Sequence, residues 1–214
     1  MKDIAFVSVA FGEQYVEQQA RLRESLEKVY GDEGTIFSWT DELPTGAKPF
    51  NKSLYGFKPH AVEFVRKQGY KKICWLDTAI IVQDRIEYYD RFIKELGVIA
   101  FIDENKLSRF CSRRALRHFQ VPPHKITRWN LVGGSFYYFD FNLPLCRAIF
   151  DKWMHAEQMG IFGSQRDEAM GLLRGHRHDE ACMALSLYTS GSRPMSEDTR
   201  YNCQDGVMIK EHFK

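Results

Sequence analysis

The chain has 214 residues, 44% hydrophobic and 27% charged, as expected of a globular protein with a buried core. A net charge of only +2 argues against nucleic acid as a partner. The five cysteines include no CxxC pair, which argues against a zinc site or a disulfide framework. With reduced cysteines and no recognisable signal peptide or membrane-spanning segment, we expect a cytoplasmic protein.

The first half of the chain alternates between apolar runs and amphipathic segments. The predicted elements are strands at 4–10, 35–40, 73–82 and 98–102 and helices at 15–30, 51–68 and 85–96. This alternation favours parallel strands joined by right-handed crossovers. The sequence therefore predicts an α/β fold whose mainly parallel, twisted sheet is flanked by helices.

The second half is less regular. The predicted elements are irregular or helical material at 103–128, a strand at 136–139, helices at 144–159, 166–173 and 179–188, and a polar tail with a weakly apolar stretch at 207–209. Nothing in the composition marks a linker, so one domain covering 1–214 is expected.

A basic segment, 106–118, lies in the irregular region and contains five Lys and Arg residues and one His. It is either a solvated helix face or a site for an anionic partner or an acidic membrane surface. The second alternative predicts peripheral membrane contact through this segment.

Asp77 interrupts the most apolar run, Trp75-Leu76-Asp77-Thr78-Ala79-Ile80-Ile81-Val82. An unpaired carboxylate inside a buried strand costs several kcal/mol, so Asp77 is expected where the strand leaves the core. In open α/β sheets, the carboxyl ends of strands line the ligand crevice. Asp77 is therefore the first candidate functional residue, and the alternative is an aspartate that caps a turn or a helix.

Two further motifs carry candidate residues. Gly133 and Gly134 precede a strand, where paired glycines permit close backbone approach to a ligand or simply form a turn. His178-Asp179-Glu180 opens a predicted helix, where Asp179 is either a functional carboxylate or the helix N-cap.

Taken in order, these motifs resemble GT-A-type glycosyltransferases, in particular the branch of glycogenin and the bacterial galactosyltransferases. The matching stretches are Ala10-Phe11-Gly12 with Tyr15, Lys58, 75–82, Asn130-Leu131-Val132-Gly133-Gly134, and His178-Asp179-Glu180. The resemblance implies a single GT-A-like domain. Its Rossmann-like, nucleotide-sugar-binding half would cover 1–102, and its acceptor-side half with the C-terminal tail would cover 103–214.

The resemblance also implies roles for individual residues. The nucleotide would be bound by Ala10, Phe11, Gly12, Tyr15, Lys58 and Asp77, and the sugar or acceptor by Trp129, Asn130, Gly133 and Gly134. Asp179 or Glu180 would be catalytic. In an inverting enzyme the carboxylate would be the general base on the acceptor, and in a retaining enzyme it would stabilise positive charge at the anomeric carbon.

The expected cofactor is Mn²⁺ or Mg²⁺, bound by Asp77 and His212 together with the donor's phosphates. One departure from the family weakens this expectation, because Ala79 stands where members carry the second aspartate of the D-x-D motif. Without His212, which is alternatively a solvated residue, the site would bind metal weakly or work without it.

The resemblance predicts transfer of a sugar from a nucleotide-diphosphate sugar, most simply a UDP-sugar, to a hydroxyl of a glycan or glycoconjugate. A sugar-phosphate nucleotidyltransferase is a second hypothesis, although Ala10-Phe11-Gly12-Glu13-Gln14 lacks the lysine usual in that class. A noncatalytic module that binds a nucleotide or carbohydrate is a third, supported by Ala79.

Overall fold

A computed structural model describes residues 4–163, 175–196 and 206–211. The strands are β1 (Ile4–Ala10), β2 (Gly34–Thr40), β3 (Lys72–Leu76), β4 (Ile80–Val82), β5 (Val98–Ile99), β6 (Ile102–Lys106), β7 (Asn130–Val132), β8 (Phe136–Asp140) and β9 (Met208–Lys210). The α-helices are α1 (Glu13–Tyr30), α2 (Phe57–Lys67), α3 (Asp90–Leu96), α4 (Arg113–His118), α5 (Pro144–Gln158) and α6 (His178–Thr189).

The main sheet has five strands in the order β2-β1-β3-β8-β5. Strands β2 and β3 pair in parallel with β1, while β8 runs antiparallel to both β3 and β5. Four of the five strands therefore share one direction. The prediction of an α/β fold with a mostly parallel central sheet is confirmed.

The two faces of this sheet bury alternate residues of the same strands, as the two-residue period of a strand requires. Ala5, Val7 and Val9 of β1 pack into a core that includes residues of α2, α5 and α6. Ile4 and Phe6 pack on the opposite face with residues of α1 and α3. Within the described ranges, no helix is both long enough and apolar enough to cross a membrane.

The prediction of one continuous strand over 73–82 is wrong. Strand β3 ends at Leu76, where the Asp77 amide donates to Ser135 O at 2.9 Å and the Ile80 amide donates to Asp77 O at 3.0 Å. The chain turns through these bonds and enters β4, which pairs with β9 in a separate sheet. Asp77 nevertheless lies where the sequence places it, at the point where the strand leaves the sheet.

Other differences lie at element boundaries. Helix α2 begins at Phe57 and not at residue 51, because turns occupy the residues before it, including Tyr55 with a φ of 60°. The predicted strand at 98–102 is split between β5 in the main sheet and β6, which pairs with β7. The predicted helix at 166–173 lies outside the described residues.

Gly97 provides a test of the packing between α3 and α5. Its φ is 73°, and a Cβ there would lie 2.7 Å from Leu145 Cγ, whereas Gly69 has a φ of 98° and open space around it. Gly69→Ala should lower the free energy of unfolding by about 1–2 kcal/mol through backbone strain alone. Gly97→Ala should lose about 1–3 kcal/mol more through overpacking, measured by urea denaturation. Equal losses in the two variants would contradict this packing.

Candidate active site

A cavity of about 680 Å³ opens beside the ends of β1 and β3. Its wall is largely aromatic, with polar groups concentrated where β3 ends. The aromatic residues of the wall are Phe11, Tyr15, Phe50, Tyr55, Phe57 and Trp75. The size and lining suit a small organic ligand with an aromatic portion, because such sites combine apolar walls with a few placed polar groups.

Asp77 is a polar group at the edge of this cavity, and its side chain is 34% exposed. Its Oδ1 accepts a hydrogen bond from Trp75 Nε1 at 3.0 Å and lies 3.5 Å from Lys58 Nζ. Trp75 and Asp77 are two residues apart, so their side chains lie on the same side of the chain. The indole therefore holds one carboxylate oxygen of Asp77 in place.

Lys58 lies in the first turn of α2 and is only 4% exposed. Its ammonium donates to Gly134 O at 2.9 Å and lies 2.9 Å from Asp179 Oδ2 and 3.5 Å from Asp77 Oδ1. An ammonium has three N–H donors, and three acceptors surround it here. Of these three contacts, the one with Gly134 O has hydrogen-bond geometry, and those with the two carboxylates are ion-pair contacts.

Burial and charge act together on this cluster. Burial alone would lower the pKa of the Lys58 ammonium, but the charges of Asp179 and Asp77 outweigh it and raise that pKa. Burial raises the pKa of the Asp179 carboxyl to about 6, although Lys58 acts in the opposite direction. Above about pH 6, the two side chains consequently form a buried ion pair.

Glu180 is held beside this ion pair by two contacts. Its Oε1 accepts from the Gly134 amide at 3.1 Å, and its Oε2 accepts from Arg177 Nε at 2.6 Å. Gly134 is required for the close approach, since a Cβ there would lie 2.9 Å from Lys58 Nζ and 3.1 Å from Asp179 Oδ2. A turn alone therefore does not explain why the position is occupied by glycine.

The helix-cap interpretation of Asp179 is not supported. The N-cap of α6 is Arg177, and no side-chain hydrogen bond caps this end of the helix. Asp179 is instead 2% exposed and directed at Lys58, while its neighbour His178 adopts a φ of 32°. A non-glycine residue with positive φ is uncommon, and such residues cluster at functional sites.

The residues after β1 form the other side of the cavity. Phe11 lines the wall, and Tyr15 does so with 53% of its surface exposed. Ala10 is buried, and its carbonyl accepts from the Asp41 amide at 2.9 Å. The Gly12 amide donates to Asp41 Oδ1 at 2.8 Å. Asp41, which the sequence analysis missed, therefore stabilises the turn that carries the expected nucleotide-binding residues.

Trp129 and Asn130 are not brought to this cluster. Trp129 stacks on Tyr188 with ring centroids 4.6 Å apart, and the Asn130 amide donates to the Tyr188 hydroxyl. Tyr188 lies near the end of α6, roughly 14 Å along the helix axis from Asp179. Of the four expected sugar-binding or acceptor-binding residues, only Gly134 contacts the carboxylates, while the Gly133 amide donates to Phe101 O at 3.0 Å.

The loop between β2 and α2 was also missed as part of the site. It contributes Phe50 and Tyr55 to the cavity wall, and its Lys48 pairs with Glu157 of α5. The Glu157 carboxylate lies 2.8 Å from His60 Nε2 and 3.5 Å from Lys48 Nζ. Burial would raise the pKa of Glu157, but His60 and Lys48 hold it below its ordinary value. The ionised Glu157 thus holds the loop that forms this wall of the cavity against α5.

The described residues supply an incomplete ligand set for a divalent cation. No three His, Cys, Asp or Glu side chains among them converge on a metal position. Asp77 has one oxygen engaged with Trp75, and Ala79 offers no side-chain ligand. His212 lies outside the described residues. The expected Mn²⁺ or Mg²⁺ therefore stays a prediction, and the described residues do not provide a complete set of ligands for it.

No protein-family model and no curated protein match the chain by sequence. Solved structures do match it. One is a glycosyltransferase involved in the glycosylation of the major capsid of PBCV-1, at a TM-score of 0.52 and 11% identity over 97% of this chain and 92% of that one. Another is the apo bifunctional glycosyltransferase WbbM, at a TM-score of 0.56 and 9% identity over 94% of this chain. This chain covers 40% of the WbbM chain. The protein therefore has the fold of these glycosyltransferases.

Proposed function

We propose that the protein transfers a sugar from a nucleotide-diphosphate sugar to a hydroxyl of a glycan or glycoconjugate. The observation that carries this proposal is the position of Asp77 at the edge of an aromatic cavity, beside the buried Lys58–Asp179 ion pair. The shared fold with glycosyltransferases supports it. A UDP-sugar is the expected donor.

The cavity wall suits the nucleoside. Tyr15 and Phe11 offer aromatic faces next to the end of β1, where stacking on a planar base would cost little rearrangement. Asp77 has one carboxylate oxygen that is free of the Trp75 bond and can accept a hydrogen bond from a sugar hydroxyl. The nucleoside and sugar of the donor would then occupy the aromatic end and the acidic end of one cavity.

We propose that the reacting carboxylate belongs to the Asp179–Glu180 pair. A pKa of about 6 leaves Asp179 ionised at neutral pH and close to the value that favours proton transfer. Glu180 is more accessible, at 15% exposure, and is oriented by Gly134 and Arg177. Both the inverting and the retaining course remain compatible with this arrangement.

Lys58 is proposed to act by positioning. Its three acceptors come from the end of β3, the turn before β8 and the start of α6. Holding these groups within one cluster fixes the distance between the carboxylate that faces the donor and the carboxylate assigned to the transfer step. Preorganisation of this kind lowers the barrier because the charges need not move during the reaction.

The proposed function predicts that UDP-glucose or UDP-galactose binds and that free UDP is released. Titration calorimetry with UDP-, GDP- and TDP-sugars, with Mn²⁺ or with EDTA, measures binding, and a coupled assay measures release. Asp77→Asn should lower kcat by about a hundredfold or more and leave the melting temperature unchanged. Asp32→Asn, at an exposed turn, is the matched control.

Other outcomes of this experiment point elsewhere. Heat of binding without nucleotide release would indicate a noncatalytic module. Release that requires a nucleoside triphosphate and a sugar phosphate would indicate a nucleotidyltransferase. Wild-type turnover by the Asp77→Asn variant would show that Asp77 is not part of the active site.

A pH profile tests the assignment of Asp179. Because the ionised form is the proton acceptor, kcat/KM should rise with pH and level off above about pH 6, the value to which burial raises the Asp179 pKa. Glu180→Gln should keep the same rise of kcat/KM with pH, whereas Asp179→Asn should lose turnover. If the Asp179→Asn variant is active and its kcat/KM rises with pH in the same way, the titrating group is another residue.

The buried ion pair makes a separate prediction about stability. Lys58→Met leaves the Asp179 charge without its partner and should cost about 3–5 kcal/mol of unfolding free energy at neutral pH. Adding Asp179→Asn should recover part of that loss, because the second change removes the uncompensated charge. Denaturant unfolding of the two single variants and the double variant measures the coupling, with Lys71→Met at an exposed site as the control. Additive losses would show that the two side chains do not interact.

A further inference from the structure

The chain's charge is unevenly distributed. Residues 105–139 contain seven Lys and Arg residues and no Asp or Glu, although the whole chain has 30 basic and 28 acidic residues. All seven lie in 106–128, here named the basic lobe. They are Lys106, Arg109, Arg113, Arg114, Arg117, Lys125 and Arg128. The remainder of the chain therefore has an excess of acidic residues.

The basic lobe is one continuous excursion from the fold. It leaves the end of β6 and returns at the start of β7, where Lys106 and Asn130 face each other in the ladder. It contains α4 and two short 3₁₀ turns, Leu107–Arg109 and Lys125–Thr127, which contact each other. Its basic side chains consequently belong to one compact surface feature.

These seven side chains are exposed and lack acidic partners among the described residues. Each is exposed, and none forms an ion pair with a described carboxylate. Lys106 and Arg114 donate to neutral oxygens, Asn130 Oδ1 and Met159 O respectively. Elsewhere, Arg66, Arg85 and Arg177 each pair with a glutamate. The lobe thus presents uncompensated positive charge to solvent.

The shape of the lobe indicates what kind of anion it fits. The charges are spread over α4, both 3₁₀ turns and the residues that flank these turns. A cleft of about 330 Å³ lies between Arg113, Arg117 and residues 120–123, with Pro122 and Pro123 exposed at its edge. Dispersed cations around a small cleft suit a broad anionic surface that carries phosphate headgroups.

We propose that the basic lobe docks the protein onto an anionic membrane surface. Clusters of four to eight basic residues are attracted to acidic lipid headgroups, at about 1 kcal/mol for each residue near the surface. The excess of acidic residues in the rest of the chain favours one orientation, with the lobe toward the membrane. This docking is independent of sugar transfer, so either proposal can fail without the other.

Sedimentation with vesicles tests the docking. The full chain should sediment with vesicles of phosphatidylglycerol and phosphatidylcholine at low salt, and not with phosphatidylcholine alone. Arg113→Gln/Arg117→Gln/Lys125→Gln should lower the partition coefficient roughly a hundredfold, because each charge contributes about fivefold. Raising salt to about 0.5 M should also release the wild-type protein.

The matched control removes three charges elsewhere. Lys28→Gln/Lys71→Gln/Lys94→Gln alters exposed lysines outside the lobe and should sediment almost like wild type. Both triple variants should keep the wild-type circular dichroism spectrum and melting temperature. Equal losses in the two variants, or no sedimentation of wild type, would overturn the proposal. Binding to soluble polyphosphate without binding to vesicles would overturn it as well and indicate a soluble anionic partner.

Discussion

A single buried ammonium group joins three parts of the chain that are distant in sequence. Lys58 reaches Asp77 after β3, Gly134 before β8 and Asp179 at the start of α6. Removing one member of a buried ion pair is costly, yet replacing a whole pair with apolar residues often costs little. Fold stability alone therefore does not explain why charge is placed here. A buried, coupled cluster beside a cavity is better explained by chemistry at the site.

The same elements that build the core also build the cavity. Helix α2 packs Ala61, Val62 and Val65 against the sheet and presents Lys58 from its first turn. Helix α5 packs Trp153 against the aromatic core and presents Glu157 to Lys48, in the loop that carries Phe50 and Tyr55. Two buried carboxylates, Glu157 and Asp179, thus fasten separate parts of the site. Errors in packing either helix would consequently change the shape of the cavity.

Sequence reasoning predicted the fold and the acidic cluster better than the contacts within that cluster. Period and composition located β1, α1 and β2, because each is a local signal. The run through Asp77 was misread as one strand, since the turn depends on a bond to Ser135, which is distant in sequence. The contacts of Lys58 likewise depend on residues that are distant in sequence. Trp75 and Asp77 share a side of the chain, and that spacing could have indicated their contact.

The electrostatic potentials of the buried cluster and of the basic lobe extend over different distances. In the buried cluster, Lys58 is surrounded by acceptors within 3.5 Å, so its charge is balanced locally. The basic lobe has no such balance, and its potential extends into solvent over about 10 Å at about 0.1 M salt. The two regions meet at Arg177, whose amide donates to Phe110 O in the lobe while its guanidinium pairs with Glu180. The lobe and the Asp179–Glu180 pair proposed to react are therefore linked through a single residue.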